Sequence, residues 1–183
     1  MTTFIAASVS LAVAAIAGVA TYLNTRIMNQ RQESLRRINT QLEELYGPLL
    51  SLSSTSQATW RVFRSVFKPE LKVDITANLS SKEMDLWIAW MSQVFMPANR
   101  NSVEIIASKA HLIVGDSMPD CFLDFAAHVA GFEVVVKQWE SGDRSTLTSI
   151  IPHPRDPYHD YIRGSFLELK KRQQILLSLT QVK

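Results

Sequence analysis

Apolar and polar positions divide the chain into one unbroken apolar run followed by striped segments. Residues 4–23, FIAASVSLAVAAIAGVATYL, carry no charge. At about 1.5 Å per helical residue they span roughly 30 Å, the thickness of a bilayer's hydrocarbon core, and so predict a membrane-crossing helix. Beyond them the apolar residues become periodic. Leu35, Ile38, Leu42, Leu45, Leu49 and Leu52 are spaced alternately by three and four, an a/d seam that suits a short coiled coil or one stripe of an intramolecular bundle. Gly47-Pro48 interrupts it. Proline lacks an amide donor and its ring clashes with the preceding turn, which predicts a kink or break near Tyr46. The stripe resumes through Ser56, Trp60, Phe63 and Phe67.

Residues 71–79, LKVDITANL, alternate apolar and polar, the pattern of a strand. The one available partner is the short stretch 147–151, so an extended connection over the core is preferred. Ser80 and Glu83 then form a capping box at a helix start. Met84, Trp87, Ile88, Met91, Val94 and Phe95 give that helix a broad apolar face, and Pro97 bends or restarts it. Trp87 and Trp90 cannot both point the same way with Ile88 and Met91 unless that helix is buried on most sides, which would leave one of them for a partner surface. Val103, Ile106, Ala110 and Ile113 carry the period to Gly115. Asp116 or Ser117 caps the next helix, with Pro119 near its first turn. Its stripe is Phe122, Phe125, Val129, Phe132, Val136 and Trp139, and Gly142 ends it. A loop with Pro152, Pro154 and Pro157 precedes a last helix that begins near Tyr158 and runs through Ile162, Phe166, Leu169, Leu176 and Leu179. The expected architecture is all-α: a transmembrane anchor over residues 1–25 and an antiparallel bundle of four to five helices over 26–183.

The flanks orient the anchor. Arg26, Arg31, Arg36 and Arg37 come after the apolar run and nothing basic precedes it. The positive-inside bias puts the N-terminus outside and the C-terminal domain in the cytoplasm, or in the matrix or stroma of an organelle. A cleaved signal peptide would have a basic n-region; Met1-Thr2-Thr3 has none, although residues 17–20 supply small side chains for cleavage. Uncleaved is the preferred reading. Small residues recur every fourth position at Ala6, Ser10, Ala14 and Gly18, one helical face where a second transmembrane helix can approach closely.

Composition narrows the chemistry. Six Gly, seven Pro and 46% hydrophobic residues fit a helical globular domain. The single Cys121 excludes an intramolecular disulfide, fits a reducing compartment, and reads as a buried inert thiol. Net charge is +2 but segregated: residues 24–64 hold six Arg against three Glu, 65–140 six basic against ten acidic, and 141–183 seven basic against four acidic. Arginines beside an anchor belong at anionic headgroups. No basic run interleaves with aromatics, so nucleic acid is not an expected partner. The Asn78-Leu79-Ser80 sequon reads as chance.

The segments 42–52 (LEELYGPLLSL), 94–106 (VFMPANRNSVEII) and 110–114 (AHLIV) resemble parts of a group of small, single-span, all-helical bacterial membrane proteins without assigned activity. The resemblance implies an anchored helical bundle and carries no catalytic residue.

No phosphate-binding glycine loop, GxSxG, HExxH or CxxC is present. Two histidine groupings are candidates. Asp120, Asp124 and His128 share one helical face, where His111 and Glu104 of the preceding helix could join them around a divalent metal. His153, Asp156, His159 and Asp160 gather in the proline-stiffened loop. The bland reading of both is hydrogen-bonded or solvated polar side chains. The sequence therefore points to a non-catalytic single-pass subunit, without cofactor or bound metal. Its expected partners are lipid and other membrane proteins or its own copies. The alternative is a membrane-tethered sensor or effector with a His/Asp site.

Overall fold

The computed structural model describes the backbone of residues 2–67, 76 and 79–181, and the side chains of 16–67, 76 and 79–179. All regular structure among them is helical: α1 (Thr2–Gln41), a π-helical turn (Leu42–Tyr46), α2 (Gly47–Phe67), α3 (Ser81–Trp90), a second π turn (Met91–Phe95), α4 (Met96–Ser108), a 3-10 turn (Ala110–Leu112), α5 (Asp120–Glu140) and α6 (Asp156–Gln181). The all-α expectation holds for these residues. The strand-like pattern of 71–79 falls mostly on positions outside the described residues; Thr76 lies in a turn and Leu79 in no regular element.

Both prolines mark a disturbance of the helix at the expected places, near Tyr46 and before Pro97. Neither breaks its helix. Each comes after a five-residue π turn in which the chain takes a wider loop: the Gly47 N–H donates to the Leu42 carbonyl and the Met96 N–H to the Met91 carbonyl. A wider turn moves the upstream carbonyls off the proline ring and shifts the bonding register, so the missing donor does not end the helix. Gly47 is needed for the first of these, because a Cβ there would meet the Leu42 carbonyl oxygen.

Two compact units are present, Met1–Asn39 with Lys171–Lys183, and Thr40–Lys170. In the first, Arg31 donates to the Leu179 carbonyl at 3.5 Å, and Gln173 Nε2 to Asn39 Oδ1 at 2.7 Å. Residues 16–27 are all exposed, the apolar Ile16, Val19, Tyr22, Leu23 and Ile27 among them. Among the described residues no helix is long and apolar enough to cross a membrane. Positions 4–15 of the apolar run lie outside those whose side chains are described.

The second unit holds the core. Leu42, Leu45, Tyr46 and Leu49 are buried, so this part of the leucine seam serves as a stripe within the bundle. The Tyr46 hydroxyl accepts the Val114 N–H at 2.9 Å, Tyr161 donates to the Val114 carbonyl at 3.3 Å, and Gln41 Nε2 donates to the Leu112 carbonyl at 2.9 Å. The connection after α4, which could not satisfy its own backbone, is thereby sealed by side chains of neighbouring helices. Trp60, Phe63, Phe67, Trp87, Trp90 and Phe95 form one aromatic cluster. Trp87 and Trp90 both approach Phe63, with ring centroids at 6.1 and 5.0 Å; Trp87 is buried and Trp90 half-buried.

Helix α3 starts as anticipated: Ser80 Oγ accepts the Glu83 N–H, and Glu83 returns a bond to the Ser80 N–H at 2.7 Å. Helix α5 differs. Its N-cap is Pro119 and no side chain caps it, so Asp116 and Ser117 do not take that role. Its stripe is as predicted, with Phe122, Phe125, Val129, Phe132, Val136 and Trp139 all buried. Gly142, at φ 89°, turns the chain out of the helix.

Candidate functional site

Residues 141–155 join α5 to α6 without regular structure, laid as a strap over buried side chains. Backbone carbonyls in such a segment need donors. Three come from the bundle: Trp139 Nε1 donates to the Thr146 carbonyl at 2.7 Å, Trp87 Nε1 to the Leu147 carbonyl at 2.9 Å, and His128 Nδ1 bonds the Ile151 carbonyl at 2.7 Å. Arg144 pairs with Asp85 at the exposed edge. The strap comes so close to α5 that a Cβ on Gly131 would strike the Ser149 hydroxyl and crowd Ile151.

The end of the strap carries His153, and here the two halves of the sequence's histidine set meet. The His153 ring lies 5.1 Å from that of His128 and 6.2 Å from that of His159, between centroids. Phe125 packs edge-on to His153 at 5.3 Å and stacks on Tyr158 at 4.1 Å. A small cavity of about 10 Å3 adjoins them, lined by Ser53, Ser102, Asn99 and Tyr158 as well as His153 and His159. Its size and polarity suit one bound water. The buried Tyr158 hydroxyl and His159 Nδ1 line it without a hydrogen-bond partner among the described residues. Tyr158 faces Ser102, whose hydroxyl donates to the Ala98 carbonyl at 3.0 Å.

Hydrogen bonding assigns the ring protons. A carbonyl can only accept, so His128 carries its proton on Nδ1. His153 Nδ1 accepts the Arg155 N–H at 2.8 Å, so the neutral His153 ring carries its proton on Nε2. Burial pushes all three histidines toward the neutral form. The effect is largest at His153, which falls to about 3 through burial first and then the neighbouring His128, His159 and Arg155. The backbone carbonyl of Ile151 partly opposes the effect at His128, and Asp156 and Asp160 oppose it at His159. Burial also raises Tyr158 above its ordinary value.

Among the described residues no group of three or more His, Cys, Asp or Glu side chains is placed to hold an ion. His153 presents an N–H rather than a lone pair at Nε2, and no carboxylate lines the cavity. The first sequence grouping is dispersed: Glu104, His111, Asp120 and Asp124 are all exposed, and His111 lies near Glu44 instead of His128. Periodicity places Asp120, Asp124 and His128 on related turns, but only His128 turns toward the strap. Asp156 and Asp160 are exposed. Cys121 is half-buried and burial raises its thiol, as an inert cysteine requires.

Of the residues expected at a membrane surface, Arg26, Arg36 and Arg37 are exposed and Arg31 is half-buried. Ala6, Ser10 and Ala14 lie outside the described side chains. At Gly18 a Cβ would meet nothing within 4 Å.

No protein-family model matches the chain, and no curated protein or solved structure matches it.

Proposed function

We propose that the chain is a non-catalytic, single-pass membrane subunit whose helical domain binds or stabilises a membrane protein complex. The observation that carries this reading is the first half of α1. Ile16, Val19, Tyr22 and Leu23 are 49–70% exposed, and they recur on one broad face of the helix. Residues 4–23 bring no charge to any other face, and an uncharged helix with an exposed apolar face needs an apolar surrounding. Lipid supplies one for residues 4–23, with Arg26, Arg31, Arg36 and Arg37 at the headgroups and the domain on the cytoplasmic side. Partners are lipid and other membrane proteins, or further copies meeting along Ala6, Ser10, Ala14 and Gly18.

Fractionation with an alkaline carbonate wash tests the anchor. The full chain should stay in the membrane pellet, and Val19→Asp with Leu23→Asp should release it. A parent chain recovered wholly in the wash would sink the proposal. A reporter fused after Lys183 should be active only in the cytoplasm. Extraction in mild detergent, with mass spectrometry of the recovered material, should return other membrane proteins in fixed ratio.

A further inference from the structure

We infer that the end of the 141–155 strap is an acid-operated latch: proton uptake by the His128–His153–His159 cluster frees residues 149–155 from α5 and from the start of α6. The geometry supplies both a lock and a reason for it to open. The lock is the Arg155 N–H donated to His153 Nδ1 at 2.8 Å. This bond closes a turn in which Arg155 sits at φ 47°, a left-handed conformation costly for a side chain other than glycine. A protonated imidazole carries hydrogen on both nitrogens and can accept nothing. Protonation at Nδ1 therefore removes the bond that holds the turn and sets two N–H groups against each other.

Among the described residues nothing around the ring compensates the new charge. From α5 it faces His128 and Phe125; from α6, His159 and Tyr158; from its own loop, Arg155. The cavity walls from α2 and α4 are Leu52, Ser53, Ser56, Ala98, Asn99 and Ser102, none of them charged. The nearby carboxylates, Asp156 and Asp160, act on His159. Release of the loop returns His153 to water, where a charge is stabilised. The adjoining strap bonds from Trp139 and Trp87 involve no titrating group, so opening is confined to the C-terminal end.

Linkage fixes the sign. In the closed form His153 takes a proton only near pH 3; in an opened loop it returns toward its ordinary value of 6.5. Above pH 6.5 neither form is protonated and opening is unaffected. Below it the open form gains by mass action, about 30-fold between pH 7.5 and 5.0 from His153 alone.

Hydrogen exchange on the full chain in detergent, corrected for the intrinsic pH dependence of exchange, reads this directly. Protection of peptides spanning 149–156 should fall at least tenfold from pH 7.5 to 5.0, while the Leu45 and Leu49 amides keep theirs. His153→Asn is the decisive variant. An Asn side-chain oxygen can accept the N–H two residues on, in the same kind of turn, but does not titrate. It should hold the latch closed at both pH values. Unchanged protection in the parent, or an equal loss in His153→Asn, overturns the inference. Should that variant fail to fold, NMR titration of the parent decides: a His153 that protonates near 6.5 with the 149–155 amide shifts unmoved also overturns it.

Discussion

Helices α1 and α5 are both rich in apolar residues, and the structure treats them in opposite ways. In α5 the large side chains recur on one stripe, and Phe122, Phe125, Val129 and Phe132 are at most 6% exposed. In α1 Ile16, Val19, Leu23 and Ile27 recur on one stripe as well, yet they stay 46–70% exposed. Apolar content alone does not decide whether a helix joins a core. Nor does phase alone: the α5 stripe is satisfied by the chain's own neighbours, whereas the α1 stripe stays exposed and calls for a surrounding from outside.

Substitutions can sharpen or break that contrast. The largest effect should come from Phe125→Ala, which removes a buried ring stacked on Tyr158; urea unfolding of the full chain should show a loss of about 3–5 kcal/mol. Acid should come next. His153 is neutral when folded and shifted from 6.5 to about 3, so stability is unaffected above pH 6.5 and falls between there and pH 3. The slope should be roughly 1.4 kcal/mol per pH unit for each proton taken up, measured as the pH dependence of the urea midpoint. Gly47→Ala should cost about 1–3 kcal/mol, because its methyl group would meet a carbonyl rather than a yielding side chain; Gly164→Ala, with open space around it, should instead raise the thermal midpoint slightly. Smallest of all on domain stability should be Val19→Ser in α1, within about 0.5 kcal/mol. If Val19→Ser destabilises the domain as Phe125→Ala does, α1 is a core helix and the contrast fails.

Much of the fold is legible in the sequence because its signals are local. The capping box at Ser80 and Glu83, the stripe of α5 and the turn at Gly142 are each fixed by residues a few positions apart. The π turns are not legible in the same way. Gly47-Pro48 and Met96-Pro97 announce that the α-helix cannot continue unchanged, but breaking and widening both answer that demand. A widened turn inserts one residue, about 100° of phase, so a helical wheel drawn across it misplaces every position downstream. The candidate site is half legible. His153 and His159 stand close in sequence and group together in space as well. His128 groups with Asp124 by helix face, yet its partner is Ile151 on a strap whose path no local pattern encodes. The nearest hint is Gly131, a glycine in mid-helix where only close approach of another segment needs one.

The strap also carries its own optical gauge. Two of the four tryptophans, Trp87 and Trp139, spend their indole N–H on strap carbonyls and are shielded from water. The other two, Trp60 and Trp90, belong to the aromatic cluster and make no such bond among those described. Lifting the whole strap would hydrate the first pair and shift their emission to the red, whereas opening at the histidine end alone would leave the spectrum still. Unlabelled protein could thus separate a hinge at residue 149 from wholesale detachment, with single Trp→Phe variants assigning the signal.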